Sequence, residues 1–269
     1  MSFARVNGGV VHFSDEGLRH APVLVFVNAL GSDFRIWDDV ARILSRQFRL
    51  IRYDKRGHGL SEAGPDRYDM ADYARDLSAL LDRLGVARAT VVGVSMGGVI
   101  VQELYRQRPS IFSALVLSDT AAKIGSDESW DARIAEVERG GIEAIADPIL
   151  ERWFTADFRA RRSEDLVGWR VMLTRTPTQG YLAACGALKR ADLRPYAGAI
   201  EVPTLCIVGE EDGSTPVELV RETAELIKGC EFEVIKGAGH LPNLEQPDTH
   251  ARLIARHAER ASEKRAAID

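Results

Sequence analysis

The sequence predicts an α/β fold, with a mostly parallel central sheet flanked by helices and a helical segment inserted after the sixth strand. Three observations predict it. Short runs such as Val23–Val27 and Ala89–Val94 are apolar on both faces, the mark of strands buried between two helical layers. These runs alternate with stretches of helical periodicity, which requires crossover connections and parallel strands. From about residue 122 to about residue 195 the alternation stops, and the chain reads as helix with scattered aromatics and no clear strand. The expected division is therefore a core built from residues 1–121 and 196–269, with a helical insertion over 122–195.

The chain opens as a hairpin. Residues 3–6 and 10–13 flank Asn7-Gly8-Gly9, a turn that tolerates positive φ. Pro22 precedes the first buried strand, 23–27. A helix is expected over about 35–45 and a strand over 48–54. The clearest helix follows: Met70, Tyr73, Ala74, Leu77, Leu80, Leu81 and Leu84 recur at i, i+3, i+4, i+7, i+10, i+11 and i+14. Asp69 is placed to cap its start and Gly85 to end it. A strand at 89–94, a helix at 99–106 and a strand at 114–118 complete the first half. After the insertion come a strand at 204–208, a helix at 217–227, a strand at 231–235 and a last helix at about 245–260. Residues 261–269 are polar and expected to fray.

Composition narrows the functional classes. The 269 residues are 45% hydrophobic and 28% charged, as in ordinary soluble domains. A chain of this size buries roughly three quarters of its surface and needs no disulfide or metal staple. Lys+Arg is 35 against Asp+Glu 40, a net charge of −5, which argues against nucleic-acid or anionic-membrane partners. No signal-peptide stretch follows Arg5, and the cleanest apolar run, 23–27, is far too short to span a bilayer. Cys185, Cys206 and Cys230 form no C-x-x-C pair and read as free thiols, Cys206 being a small buried hydrophobe. The expectation is a soluble cytoplasmic protein acting on a small molecule, without metal or cofactor and of open oligomeric state.

The strongest motif is Gly93-Val94-Ser95-Met96-Gly97, a G-x-S-x-G between a strand and a helix-compatible run. That setting is the one a nucleophile elbow requires, because a sharp, strained turn lifts the serine hydroxyl above the sheet edge. Bulky side chains at Gly93 or Gly97 would collide with adjacent backbone. The turn also aims the Met96 N–H and a helix N-terminus at the reacting oxygen.

A serine needs a positioned base. His12, His20, His250 and His257 read as solvent-facing, and no H-E-x-x-H suggests a metal. His240, in Gly239-His240-Leu241-Pro242 after the last strand, lies at the carboxyl edge of the sheet and is the candidate base. Its acidic partner is expected to be Asp212, in Gly209-Glu210-Glu211-Asp212. Asp119, directly after strand 114–118, competes, and Glu210 or Glu211 is a remoter choice. The second oxyanion donor belongs on the loop Asn28-Ala29-Leu30-Gly31, where the Leu30 N–H is the candidate beside that of Met96. Asp54-Lys55-Arg56-Gly57-His58-Gly59-Leu60-Ser61 has the look of a catalytic loop but reads as a structural one whose charges bond one another.

Together these segments resemble the α/β-hydrolase superfamily across nearly the whole chain, with the insertion in the position of that family's cap. Within it the chain is most similar to the 3-oxoadipate enol-lactonases of the β-ketoadipate pathway. The features are the asparagine-containing loop 28–31, the segment Ala146-Asp147-Pro148-Ile149-Leu150-Glu151-Arg152-Trp153-Phe154-Thr155, and Gly180-Tyr181-Leu182-Ala183-Ala184-Cys185 followed by Ala191-Asp192-Leu193-Arg194. Gly239-His240-Leu241-Pro242-Asn243 departs from the Ser-His-Ile-Ser-Asn of those enzymes and is closer to generic esterases.

The resemblance implies a small enol-lactone bearing a carboxylate. Ser95 would open its ring to an acyl-enzyme, and His240 would activate the water that releases 3-oxoadipate. A desolvated carboxylate calls for a cation, and Arg133, Arg152 and Arg175 lie in the insertion. Asn28, Trp130, Arg133 and Trp153 are the candidate substrate contacts, with Trp169 a further possible pocket wall. A carboxylesterase, another lactonase or a perhydrolase-type enzyme would share fold and triad, and a ligand-sensing protein could share the fold without the turnover.

Overall fold

Asn7 and Gly8 both take positive φ, 46° and 84°. They make the two-residue turn that joins antiparallel β1 (Ser2–Val6) to β2 (Gly9–Gly17), with Val6 opposite Gly9. Gly9 thus belongs to the second strand rather than to the turn. The computed structural model describes residues 1–64 and 67–266. The core strands are β3 (Val23–Val27), β4 (Arg49–Tyr53), β5 (Ala89–Val94), β6 (Phe112–Ser118), β7 (Thr204–Gly209) and β8 (Glu231–Ile235). They close an eight-stranded sheet in the order β1-β2-β4-β3-β5-β6-β7-β8. Pairings from β4 to β8 are parallel; β1–β2 and β2–β4 are antiparallel. Leu24, Val25, Phe26 and Val27 are fully buried, as strands covered on both faces must be.

The helices begin where local chemistry starts them. A 3₁₀ turn, Phe34–Trp37, and α1 (Asp38–Leu44) stand where one helix was expected. Asp33 caps the turn by accepting the Arg35 N–H. In α2 (Met70–Arg83) the Asp69 N–H donates to the Asp72 carboxylate at 2.8 Å, one half of a capping box. Gly85, at φ 66°, ends that helix. α3 (Met96–Gln107) starts three residues earlier than its apolar period suggests, directly after Ser95.

Between β6 and β7 the chain forms α4 (Asp127–Gly140), α5 (Glu143–Trp153), α6 (Ala156–Arg161), α7 (Ser163–Thr174), α8 (Thr178–Arg190) and the short α9 (Arg194–Ala197), with no strand among the described residues. Trp130, Trp153, Phe154, Phe158 and Tyr181 are buried there, and Trp169 is half-buried. α10 (Val217–Leu226) links β7 to β8. The last expected helix is α12 (Pro247–Ala266), preceded by a short α11 (Pro242–Glu245), and each opens on a proline. Residues 261–266 continue α12, and the end of the stretch expected to fray, 267–269, lies outside the described residues. No described helix is long and apolar enough to cross a membrane.

Candidate active site

Ser95 sits at φ 56° and ψ −123°, a left-handed conformation that costs about 1–3 kcal/mol and persists only where its surroundings over-determine it. Those surroundings are on both sides. The Ser95 N–H donates to the Ser118 carbonyl at 3.0 Å, and the Thr120 hydroxyl donates to the Ser95 carbonyl at 2.7 Å. A Cβ at Gly93 would run into the Gly97 carbonyl, and one at Gly97 into the Val27 carbonyl. Glycine is needed at both positions because backbone passes against backbone. As the first residue of α3, Met96 holds one of the N-terminal N–H groups that lack an intrahelical acceptor.

His240 follows β8 and is 2% exposed. Its Nδ1 lies 2.9 and 2.8 Å from the two Asp212 carboxylate oxygens. Asp212 closes the turn after β7. It accepts the Ser214 and Thr215 N–H groups at 2.7 and 2.9 Å and the Thr215 hydroxyl at 2.7 Å. Burial works against its charge, but the imidazole and these donors outweigh it and hold the carboxyl below its ordinary range.

Asp119, the competitor, faces a different set of partners. It takes φ 48°, accepts the Gly209 N–H at 2.8 Å, and receives the Ser118 hydroxyl at 2.6 Å. Full burial and then the Asp212 charge push its carboxyl well up, opposite to the direction in which Asp212 moves. One ligand atom each from Asp119, Asp212 and His240 lies within 4.8 Å of the others. Donors from the chain itself already fill this cluster. Glu210 and Glu211 are exposed.

A cavity of about 240 Å³ opens over Ser95 and His240. Leu30, Trp130, Arg133, Ile149, Arg152, Trp153, Tyr181 and Thr215 are among its walls. Among the described residues the Leu30 N–H has no hydrogen-bond partner. The Trp130 indole donates to the Ile124 carbonyl at 2.7 Å, and the Arg133 guanidinium lies 4.9 Å from the Trp130 ring centre. Arg152 is half-buried. Desolvation and then the charge of Arg133 lower its pKa, with Tyr181 and Glu136 opposing. Neither arginine forms an ion pair among the described residues. A serine hydroxyl, an imidazole oriented by a carboxylate and two free N–H groups can together carry acyl transfer. Two unneutralised guanidiniums in the same cavity can hold a carboxylate.

Some expectations are corrected. Asn28 does not line this cavity: it is 1% exposed and its amide turns toward the Ser32 carbonyl at 3.5 Å. Arg175 lies on a separate cavity beside Leu60 and Val171. His12 is buried, its Nδ1 2.8 Å from Asp54. His250 and His257 are buried as well. They share one face of α12 with Ile254 and Ala261, at i, i+4, i+7 and i+11, a period the sequence displays once the histidines are counted with the apolar stripe. The loop after β4 is only partly self-contained. Arg56 pairs with Asp76 of α2, and Asp54 accepts the Phe34 and Leu60 N–H groups at 2.8 and 3.0 Å. Ile149, Tyr181 and Thr215 escaped sequence reasoning because nothing local marks an apolar or hydroxyl side chain as a cavity wall.

The sequence profile of the alpha/beta hydrolase family matches residues 24–253. The chain belongs to that family. Among alpha/beta hydrolases of known sequence it is 34% identical over 244 residues to 3-oxoadipate enol-lactonase 2 of Acinetobacter baylyi, covering 91% of each chain. The structure of the enol-lactonase from Burkholderia xenovorans LB400 is 37% identical, with a TM-score of 0.92 over 95% of this chain and 99% of that one. A thermophilic esterase from Thermogutta terrifontis, described with malate bound, is 29% identical, with a TM-score of 0.90 over 96% of this chain and 97% of that one.

Proposed function

We propose that this alpha/beta hydrolase acts on an ester bond inside a small ring, opening a carboxylate-bearing enol-lactone of the 3-oxoadipate enol-lactone type to the open-chain acid. The observation that carries the reading is the pair Arg133 and Arg152 on the wall of the cavity that also holds Ser95 and His240. Two like charges without an ion-pair partner cost stability where they stand, and a substrate carboxylate relieves that cost. Similarity to two enol-lactonases supports the choice of lactone, and the esterase relative is described with a dicarboxylate, malate, bound.

In this reading Ser95 Oγ attacks the lactone carbonyl while His240 takes its proton. Asp212 holds the imidazole by Nδ1 and stabilises the imidazolium. The Leu30 and Met96 N–H groups receive the developing oxyanion, each worth roughly 10²–10³ in rate. The ring C–O bond then breaks, and His240 returns its proton to the leaving enol oxygen, which settles as a ketone. A water activated by His240 next attacks the acyl-enzyme and frees the second carboxylate. Residues 122–195 serve as a cap that brings Trp130, Arg133, Arg152 and Trp153 over a core of 1–121 and 196–269. No cofactor takes part. A reducing cytoplasm suits the three free cysteines.

The test is the loss of enol-lactone absorbance, with the lactone generated in situ, in wild type, Ser95→Ala, Arg133→Met and Arg152→Met. Fast loss that depends on Ser95 is expected, and losing the serine should cost on the order of 10⁶ in rate. Each arginine change should raise KM for the lactone while leaving a neutral aryl ester nearly unaffected. Ser95-dependent cleavage of the aryl ester without lactone loss above the spontaneous rate would keep the hydrolase and discard the substrate.

A further inference from the structure

Lys55 is 1% exposed and has no ion-pair partner among the described residues. Its Nζ donates to the Ala29 carbonyl at 2.6 Å and to the Ser32 carbonyl at 3.2 Å. Burial pushes the ammonium down to about 7, with Asp54 and Asp33 opposing. A buried cation held by carbonyls alone is a poor device for stability. What it does to the peptide group it touches is more telling.

The Ala29 carbonyl accepts two further donors, the Ser32 hydroxyl at 2.9 Å and the Ser32 N–H at 3.3 Å. That carbonyl and the Leu30 N–H are the two ends of one resonant peptide group. Three donors, the Lys55 amino group among them, draw electron density toward the oxygen and leave the N–H a stronger donor, because hydrogen bonds in a chain polarise one another. The same bonds fix the plane of the peptide. Its free N–H belongs to a residue on the wall of the cavity that holds Ser95.

We propose that Lys55 is a positioning residue for the oxyanion hole, its ammonium polarising and aiming the Ala29–Leu30 peptide so that the Leu30 N–H meets the charge that forms in acyl transfer. This rests on the reading of Ser95 and Leu30 given above. The charged and titratable groups around Lys55 are Asp54, Asp33 and the fully buried His58, with His12 bonded to Asp54 and Arg35 to Asp33. They form a shell that Lys55→Met leaves in place. In that variant Ser32 still supplies two donors to the Ala29 carbonyl, and the Ser32 carbonyl keeps the Asn28 amide at 3.5 Å.

The experiment uses 4-nitrophenyl acetate, which removes any dependence on the identity of the lactone. Lys55→Met should lower kcat about tenfold with little change in KM, a fraction of the loss expected from deleting an oxyanion donor outright. Lys55→Gln, with a neutral donor, should recover part of the loss. A small alkyl trifluoromethyl ketone, to which Ser95 Oγ adds so that the carbonyl oxygen becomes an oxyanion and the proton passes to His240, should lose affinity in step with kcat/KM. The keto acid 4-oxopentanoate, which forms no oxyanion, should bind as before. Lys55→Met should melt no lower than wild type, because it removes a buried charge; a merely structural lysine predicts the reverse. Ser32→Ala, the milder change, should shift kcat and ketone affinity in the same direction. Unchanged ketone affinity in Lys55→Met and Ser32→Ala overturns the proposal. Turnover that survives Ser95→Ala overturns instead the reading on which it rests.

Discussion

At the scale of single residues the decisive choice is between two aspartates. Asp212 and Asp119 each follow a parallel strand and emerge at the same sheet edge, so strand position alone left both in play. The structure separates them by what each touches. Asp212 bonds His240 Nδ1, whereas Asp119 accepts the Gly209 N–H and the Ser118 hydroxyl, and burial pushes its carboxyl up while that of Asp212 is held down. An ionised partner can stabilise the imidazolium, and a neutral carboxyl cannot. Asp212→Asn should therefore lower kcat about 10³–10⁴-fold with the fold intact. Asp119→Asn should stay within a few-fold of wild type, since an amide keeps an oxygen for the Gly209 N–H and tolerates positive φ. Steady-state kinetics and circular dichroism on both variants check this, and the opposite ranking of losses would reassign the acid. The serine was the most legible site residue because its glycines are dictated by backbone collisions. Lys55 was the least, because its partner is a carbonyl 26 positions away.

Secondary-structure elements were legible where one period governs them, as in α2 and β3, and blurred where tertiary contact sets the boundary. α3 begins at Met96 because the elbow starts it, not because its apolar period does. The helical segment between β6 and β7 was visible as a break in rhythm, but how it seats on the rest was not. That seating depends on two glycines. Gly180, in the first turn of α8, packs against Gly57 of the loop after β4 so closely that a Cβ on Gly57 would lie 2.7 Å from the Gly180 Cα. A Cβ on Gly180 would in turn run into the Gly57 carbonyl. At the other end of α8, Arg190 bonds Asp69, the cap of α2, at 2.7 Å. Since Tyr181 on the same turn lines the cavity, Gly180→Ala should displace a cavity wall as well as cost about 1–3 kcal/mol of overpacking. We expect KM to rise more than kcat falls, with a lower urea midpoint. Wild-type KM at wild-type stability would mean that α8 can shift without moving the wall.

At the scale of the whole molecule, two buried groups in one connected cluster pull stability against pH in opposite directions. His250 of α12 stacks on Trp37 and has its Nε2 3.0 Å from the Ser118 hydroxyl of β6, which in turn donates to Asp119. Burial pushes the imidazole down from its ordinary 6.5 to about 3. Below pH 6.5 the unfolded chain takes a proton that folded His250 refuses, so this group makes the fold less stable as pH falls, by up to about 1.4 kcal/mol per pH unit. Asp119 has the opposite sign. Its folded carboxyl keeps a proton that the unfolded chain releases above its ordinary value of 3.8, so it makes the fold less stable as pH rises from there. Urea unfolding between pH 4.5 and 7 should therefore give diverging differences from wild type. The advantage of His250→Gln should grow toward the acid end, and that of Asp119→Asn toward the neutral end. Because Ser118 links the two side chains, the double variant tests their independence: differences that add mean two separate titrations, and differences that do not add mean that proton and hydroxyl rearrange together. Parallel slopes for the two single variants would show that at least one of these groups is not held in the protonation state that its burial dictates.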